Sequence, residues 1–538
     1  MRTDEGLSGG AEWRMAVAIV AAMTLLRLLI LFTSPLQLYP DEAQYWVWSR
    51  HLALGYFSKP PMIAWLIRAT TALGGQGEAW IRLSSPLLHG VAALALCRAG
   101  QRLYSPRAGL WAAIIYSLIP GVQLSSAIVA TDGPLLCLLS LAVWAYAVFW
   151  SETDPGRRRT AALGLGVAMG LAFLTKYASL YVAGGVLLHA VASPEARRRW
   201  SASTVAIYLA VGLAIAAPNL GWNLAHHFQT VAHTAENADL GDSKSGVKGL
   251  FGARGPFGFL FGQFGVFGPV AFAVVIAASV QAFRRKGAGA DTLLICLAAP
   301  ALVLVLAESV AARANANWAA AAYAPAAVLA AGALDRWDRR RLFGWGIVAL
   351  QGVVALAFAV VVLVPAVADS FGVGNAFKRA RGWRQETAVI KARARAASIG
   401  GPLSAIAVDD RFLFNALSYY ARDEAGRPAA TLPAPLKMWV RLAKPANQAE
   451  TEAPLTAADA SNVLGVSVSW IYLPEFRYDF LSTTLLAPET VPLDPHHQRP
   501  LAFFVGHGFQ RKPRDPKTGE PILPLELQVK RPGRSHTR

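Results

Sequence analysis

About 11 long apolar runs, parted by short loops, leave this chain almost no soluble way to fold. They fall near residues 15–33, 82–103, 108–122, 134–150, 160–174, 177–193, 201–217, 260–283, 291–307, 318–334 and 343–366. A helix that crosses a bilayer needs roughly 20 mostly apolar residues, because the hydrocarbon core is about 30 Å thick and each residue rises about 1.5 Å. Most of these runs approach that length. With 54% hydrophobic and only 16% charged residues, the 538-residue chain reads as an α-helical polytopic membrane protein. The first run has no small-residue cleavage pattern between it and the charged motif that follows, so it is expected to stay as a first helix.

The formal net charge of +18 does not point to nucleic acid, because much of the Lys and Arg lies in short loops between apolar runs. Arg98, Arg102 and Arg107, Arg157 to Arg159, Arg197 to Arg199, Arg284 to Lys286, and Arg336 with Arg339 to Arg341 fall in alternate loops. Placing those loops in the cytoplasm leaves the polar motifs on the opposite side, outside the cytoplasmic membrane. Residues 1–366 are thus expected to form the membrane domain. Residues 367–538 change character and read as an extracytoplasmic α/β domain, with helices at Trp383 to Ala397 and Phe412 to Arg422. Its strands are expected at Ser404 to Val408, Val466 to Tyr472 and Leu501 to Val505, followed from Arg511 by a basic, exposed tail. Cys97, Cys137 and Cys296 all lie in apolar runs, which suits small core residues and not a metal knuckle.

The first outer loop carries Tyr39-Pro40-Asp41-Glu42-Ala43-Gln44-Tyr45-Trp46 and then Lys59-Pro60-Pro61. Ionisable groups beside a bilayer are costly unless hydrated, paired or used. Pro40 suits a helix start, and Asp41, Tyr45, Trp48 and Leu52 would share a stripe on a helix that Gly55 ends. Pro60-Pro61 would open a second helix, with Lys59 at the turn and the carboxylates facing a common cleft. Asp41 and Glu42 are equally compatible with simple capping of a helix N-terminus, and so is Asp132 in Thr131-Asp132-Gly133-Pro134. Singly, Lys59 suits snorkelling, Lys176 a turn and Arg313 a lipid headgroup; Arg313 stands before Asn315, Asn317 and Trp318, an unusually polar helix entrance. His226 and His227 are adjacent and point apart on a helix, so no metal is implied, although a divalent ion is compatible with the carboxylates.

Taken together, one or two carboxylates with Lys59, Lys176 and Arg313, and no nucleotide-binding glycine pattern, suit transfer of a sugar from a lipid phosphate. A polyprenyl-phosphate sugar can be presented from the outer leaflet. Its leaving group is already anionic, so cations stabilise departure while one carboxylate takes the acceptor's proton. A flippase of lipid-linked sugars shares the helices and cations, but would place polar groups nearer the bilayer midplane. A non-catalytic assembly or anchoring protein would show neither donor binding nor turnover.

The motifs Pro40 to Trp46, Gly55 to Trp65, Thr131 to Pro134, Thr175 to Tyr177 and Asn315 to Trp318 together resemble the bacterial family-39 type of glycosyltransferase. That group is related to protein O-mannosyltransferases and to the aminoarabinose transferase of lipid A. The resemblance covers about residues 30 to 330. It implies the GT-C fold, a polyprenyl-phosphate (undecaprenyl phosphate) sugar donor, a lipid, glycan or protein acceptor, and an inverting transfer. Asp41 maps onto the catalytic acid of the first loop, with Glu42 and Asp132 as further acids. Lys59 maps onto a donor-phosphate ligand, with Lys176 and Arg313 as further candidates, and Tyr45, Tyr56, Asn317 and Trp318 are expected to line the substrate cleft. Gln44 departs from the aminoarabinose transferases, which have an arginine there.

Overall fold

The computed structural model describes residues 3–237, 255–285, 289–311, 314–338, 341–459 and 461–524. They form two compact units, Met1–Ser34 with Ala53–Val362, and Pro35–Leu52 with Leu363–Arg538. Where the sequence suggests one boundary near residue 366, the second unit also includes the segment that carries Asp41.

Among the described residues the first unit contains helices and connecting loops but no strand, and each apolar run lies in one helix or in a pair of helices. Seven of the described helices are long and apolar enough to cross a membrane, or up to nine if each of two bent pairs is one span, which is fewer than the 11 expected. The shortfall has two sources. Pro155–Phe173 carries three arginines in its first turns. Ser179–Ala192 has only 14 residues, about 21 Å of helix. Two expected helices are also broken. Pro106–Leu118 meets Pro120–Ala127 at 60°, and Pro256–Phe267 meets Pro269–Arg284 at 113°. At both breaks a proline lacks the N–H that would continue the ladder, and Gly268 before Pro269 adopts φ 105°.

Small residues let these helices approach closely. A Cβ on Gly185 would sit 2.6 Å from the Cα of Leu297, and one on Gly100 would sit 2.9 Å from the Cα of Gly109. The alanine-rich stretch from Ala319 to Leu334 is buried almost without a break. By contrast, Leu209, Leu213, Val353 and Leu356 are exposed on helices Ala202–Ala225 and Leu342–Leu363, the kind of surface that hydrocarbon, not water, covers. The three cysteines are buried free thiols.

The second unit is built on a five-stranded sheet of order β2-β1-β3-β5-β4, formed by β1 (Ala405–Val408), β2 (Leu436–Met438), β3 (Val463–Ser467), β4 (Phe480–Asp494) and β5 (His497–Phe509). Strand β1 is parallel to β2 and β3, while β5 is antiparallel to β3 and β4. Side chains alternate across the sheet. Ile406, Val408, Leu464 and Val466 pack with Ile390, Leu413 and Leu417 of helices Trp383–Ala397 and Arg411–Tyr420. Ala405, Ala407 and Val463 face an aromatic cluster of Trp439, Phe476, Phe480 and Phe504. The strand expected at Val466 to Tyr472 lies earlier, at Val463–Ser467, and residues 511–524 are not a loose tail. Arg514 forms a buried ion pair with Asp479 at 2.6 Å, and the Ala443 N–H donates to the Gly519 carbonyl at 2.8 Å. The remainder of that stretch, 525–538, lies outside the described residues.

Residues 35–52 join this unit through their own bonds. The Gln37 N–H donates to the Ala380 carbonyl at 3.0 Å, and the Leu38 N–H to the Tyr420 hydroxyl at 2.8 Å. Trp46 is fully buried, with Tyr419 edge-on at 5.0 Å.

Candidate active site

In the second unit, the helix expected from Asp41 to about Leu54 is shorter, Pro40–Trp48. It ends where the bonding pattern tightens, the Arg50 and His51 N–H groups donating three residues back to the Val47 and Trp48 carbonyls at 3.0 and 3.1 Å. Glu42 does not face solvent. It is buried, and its Oε2 accepts the Tyr39 N–H at 2.8 Å, an acid closing the helix start. Asp41 is the exposed acid, with 62% of its side chain accessible. Tyr45 is also buried and packs on Trp48, so its face is taken up by protein.

Asp41 has a neighbour the sequence did not suggest. Arg411 Nη1 donates to Gln44 Oε1 at 2.9 Å and lies 3.7 Å from Asp41 Oδ1. Arg411 is the first residue of helix Arg411–Tyr420, whose N-cap Asp410 accepts the N–H groups of Phe412 and Leu413 at 2.8 and 2.9 Å. Before it, Asp409 is half-buried and accepts hydrogen bonds from the Ser467 hydroxyl and the Val468 N–H. Burial pushes the Asp409 carboxyl up to about 7, although those two hydrogen bonds oppose the shift.

In the first unit, Asp132 and Lys176 come together. Lys176 Nζ donates to Asp132 Oδ1 at 2.7 Å, and both side chains remain about one-fifth to one-quarter accessible, at 20% and 24%. Asp132 opens helix Asp132–Ser151, beside a buried network in which His89 bonds Tyr116 at 2.8 Å and Ser125 at 3.0 Å. The Lys59 turn is tied to the same region, because the Met62 N–H donates to the Leu174 carbonyl at 3.0 Å, two residues before Lys176. Lys59 itself is half-buried. Tyr56 is buried: its hydroxyl accepts the Ala53 N–H at 3.2 Å, and its carbonyl accepts from Thr230 at 2.7 Å.

Helix Ala202–Ala225 continues through Pro218, where a loop was expected, and this carries Asn219 and Trp222 to the first loop. Asn219 Nδ2 donates to the Leu54 carbonyl at 2.7 Å, and the Trp222 ring lies where a Cβ on Gly55 would fall. His226 stacks on Trp222 at 4.0 Å. Asn317 is exposed, while Trp318 packs partly against Phe259, Val305 and Ala319. Arg313 lies outside the described residues.

The sequence of residues 58–222 matches the family model described as dolichyl-phosphate-mannose-protein mannosyltransferase. Over 425 residues the chain is 35% identical to the lipid A galacturonosyltransferase RgtD of Rhizobium johnstonii, covering 79% of this chain and 86% of that one. The chain belongs to the GT-C glycosyltransferase family. This GT-C enzyme is also 28% identical, over 40% of its length and 41% of the relative's, to an undecaprenyl phosphate-alpha-4-amino-4-deoxy-L-arabinose arabinosyl transferase of Pseudomonas fluorescens. Its fold is that of ArnT from Cupriavidus metallidurans, solved with undecaprenyl phosphate. The TM-score is 0.62 at 19% identity, over 91% of this chain and 97% of that one. The GT-C enzyme is accordingly a multi-pass membrane glycosyltransferase, and membership of a transferase family replaces the flippase alternative.

Proposed function

We propose that this enzyme moves a uronic-acid sugar of the galacturonosyl type from a polyprenyl phosphate to a lipid A-like acceptor, on the periplasmic face of the inner membrane. The observation that carries this reading is its 35% identity to a lipid A galacturonosyltransferase along 79% of the chain. Asp41, the exposed acid of the first outer loop, takes the proton of the acceptor hydroxyl as that oxygen attacks the anomeric carbon. The bond from that carbon to the phosphate breaks with inversion, and its electron pair leaves with the polyprenyl phosphate. Lys59 is the proposed cation for that phosphate, since departure of an anionic group needs charge stabilisation more than protonation. Asp132 and Lys176, already bonded to each other, act as a pair that fixes the loops around them.

Mass spectrometry of lipid A and of lipid-linked sugars tests this, comparing cells that carry the intact enzyme with cells that carry Asp41→Asn. The variant should insert normally, lose the uronosyl group from lipid A and accumulate the uronosyl polyprenyl phosphate. Unchanged lipid A in the variant would remove Asp41 from the reaction, and an accumulated neutral sugar would correct the donor.

A further inference from the structure

Arg411 occupies an unusual place in the sheet of the second unit. Strand β1 is followed by a helix and then by β2 on one side, and the chain next returns to place β3 on the other side of β1. In open sheets of parallel strands, the crevice outside the carboxyl ends of two strands that part in this way is where ligands bind. Asp409 and Ser467 mark those ends for β1 and β3, and their hydrogen bond joins them. Arg411 lies just beyond, with its backbone fixed by the Asp410 cap.

Two contacts place the side chain. The guanidinium lies over the Phe412 ring at 4.6 Å and donates to Gln44 at 2.9 Å, yet it keeps 40% of its surface accessible. A guanidinium has five N–H donors. Among the described residues, only Gln44 takes one of those of Arg411 in a hydrogen bond, since Asp41 at 3.7 Å is too distant for one. An ion pair this long and this exposed adds little to stability. The arrangement is therefore a poor investment as a structural tether and a good one as a docked cation with its fork unfilled.

We propose that Arg411, presented by Gln44 and Phe412, grips an oxyanion of the sugar donor and holds it beside Asp41. This rests on the donor class proposed above. The oxyanion has two possible sources, the carboxylate of a uronosyl group and the phosphate of the polyprenyl carrier, and both suit a guanidinium fork.

The test uses the full-length enzyme in lipid nanodiscs, as wild type, Arg411→Gln and Arg411→Lys. Each is given polyprenyl-phosphate donors carrying either a uronic acid or the matching neutral hexose, with polyprenyl phosphate alone as a competitive inhibitor. Arg411→Gln should raise the donor KM about 10- to 100-fold, the range for losing a hydrogen bond to a charged group, and Arg411→Lys should recover part of it. A rise confined to the uronosyl donor assigns the grip to the sugar carboxylate. A rise on both donors, with equally weakened inhibition by polyprenyl phosphate, assigns it to the phosphate. KM values within twofold of wild type would overturn the proposal. So would a fall in kcat common to both donors with inhibition unchanged, the mark of a purely structural contact. If wild type turns over neither donor, the proposed reaction fails by itself, and equilibrium binding of the same three lipids still reads Arg411.

Discussion

Lys176 Nζ stands 2.7 Å from Asp132 Oδ1, joining the turn after helix Pro155–Phe173 to the first turn of helix Asp132–Ser151. With three-quarters or more of each side chain shielded, at 24% and 20% accessible, each charge depends on the other. Lys176→Met or Asp132→Asn alone should each destabilise the enzyme by about 1–3 kcal/mol, and the double variant by clearly less than the sum. Thermal unfolding of the four proteins in one detergent gives the coupling; additive losses would mean that the pair is not a unit.

The two acids of the first loop should behave differently when replaced. Asp41→Asn removes a general base from a folded, exposed position, so kcat should fall about 10²- to 10⁴-fold while donor affinity changes little. Glu42→Ala instead unmakes the closure of helix Pro40–Trp48 and should cost about 1 kcal/mol of stability. Single-turnover kinetics beside unfolding curves separates the two, and a larger kcat loss for Glu42→Ala than for Asp41→Asn would reverse the assignment.

Asp409 predicts a pH dependence of stability. Its carboxyl is raised by burial from the ordinary 3.8 to about 7. Between those values the folded enzyme holds a proton that the unfolded chain has lost, so this contribution is complete below about pH 4 and fades as pH rises through 7. Glu386, buried and likewise pushed up to about 7, acts in the same direction. Unfolding of the second unit, followed by tryptophan fluorescence from pH 5 to 8, should become easier as pH rises. Asp409→Asn should flatten that slope in part, and an unchanged slope would place the proton elsewhere.

Gly55 predicts a packing defect next to the first loop. A Cβ there would sit 2.4 Å from the Trp222 ring, a contact that a rigid indole cannot relieve by a small rotation. Gly55→Ala should lower stability by about 1–3 kcal/mol, and Gly55→Ala with Trp222→Leu should regain much of it. Melting temperatures of the two variants decide this.

Much of this architecture was legible in the chain, for identifiable reasons. Apolar length marked the helices of the first unit. Pro40 marked the start of the first-loop helix and Pro60-Pro61 the start of the next, because proline fits a first turn and little else. The end of the Pro40–Trp48 helix was hidden, since the tight turns at Arg50 and His51 carry no glycine or proline and Gly55 lies several residues further on. Breaks at Pro120 and Pro269 were visible as residues but not as angles of 60° and 113°. In the second unit, β3 was placed too late because apolar residues continue past Ser467 into the turn and helix that follow. Asp41 could be singled out as an acid in the right loop. Arg411 could not, because 367 positions separate it from Gln44 and it reads locally as an ordinary residue after a helix cap.

The grouping of residues 35–52 with residues beyond 362 has a practical consequence for anyone who wishes to re-engineer this enzyme. Grafting a foreign tail onto the membrane helices at a single junction would separate the Pro40–Trp48 helix from the aromatic and backbone partners that seat it. A working hybrid needs three cuts, so that the short early segment travels with the late one as a matched set.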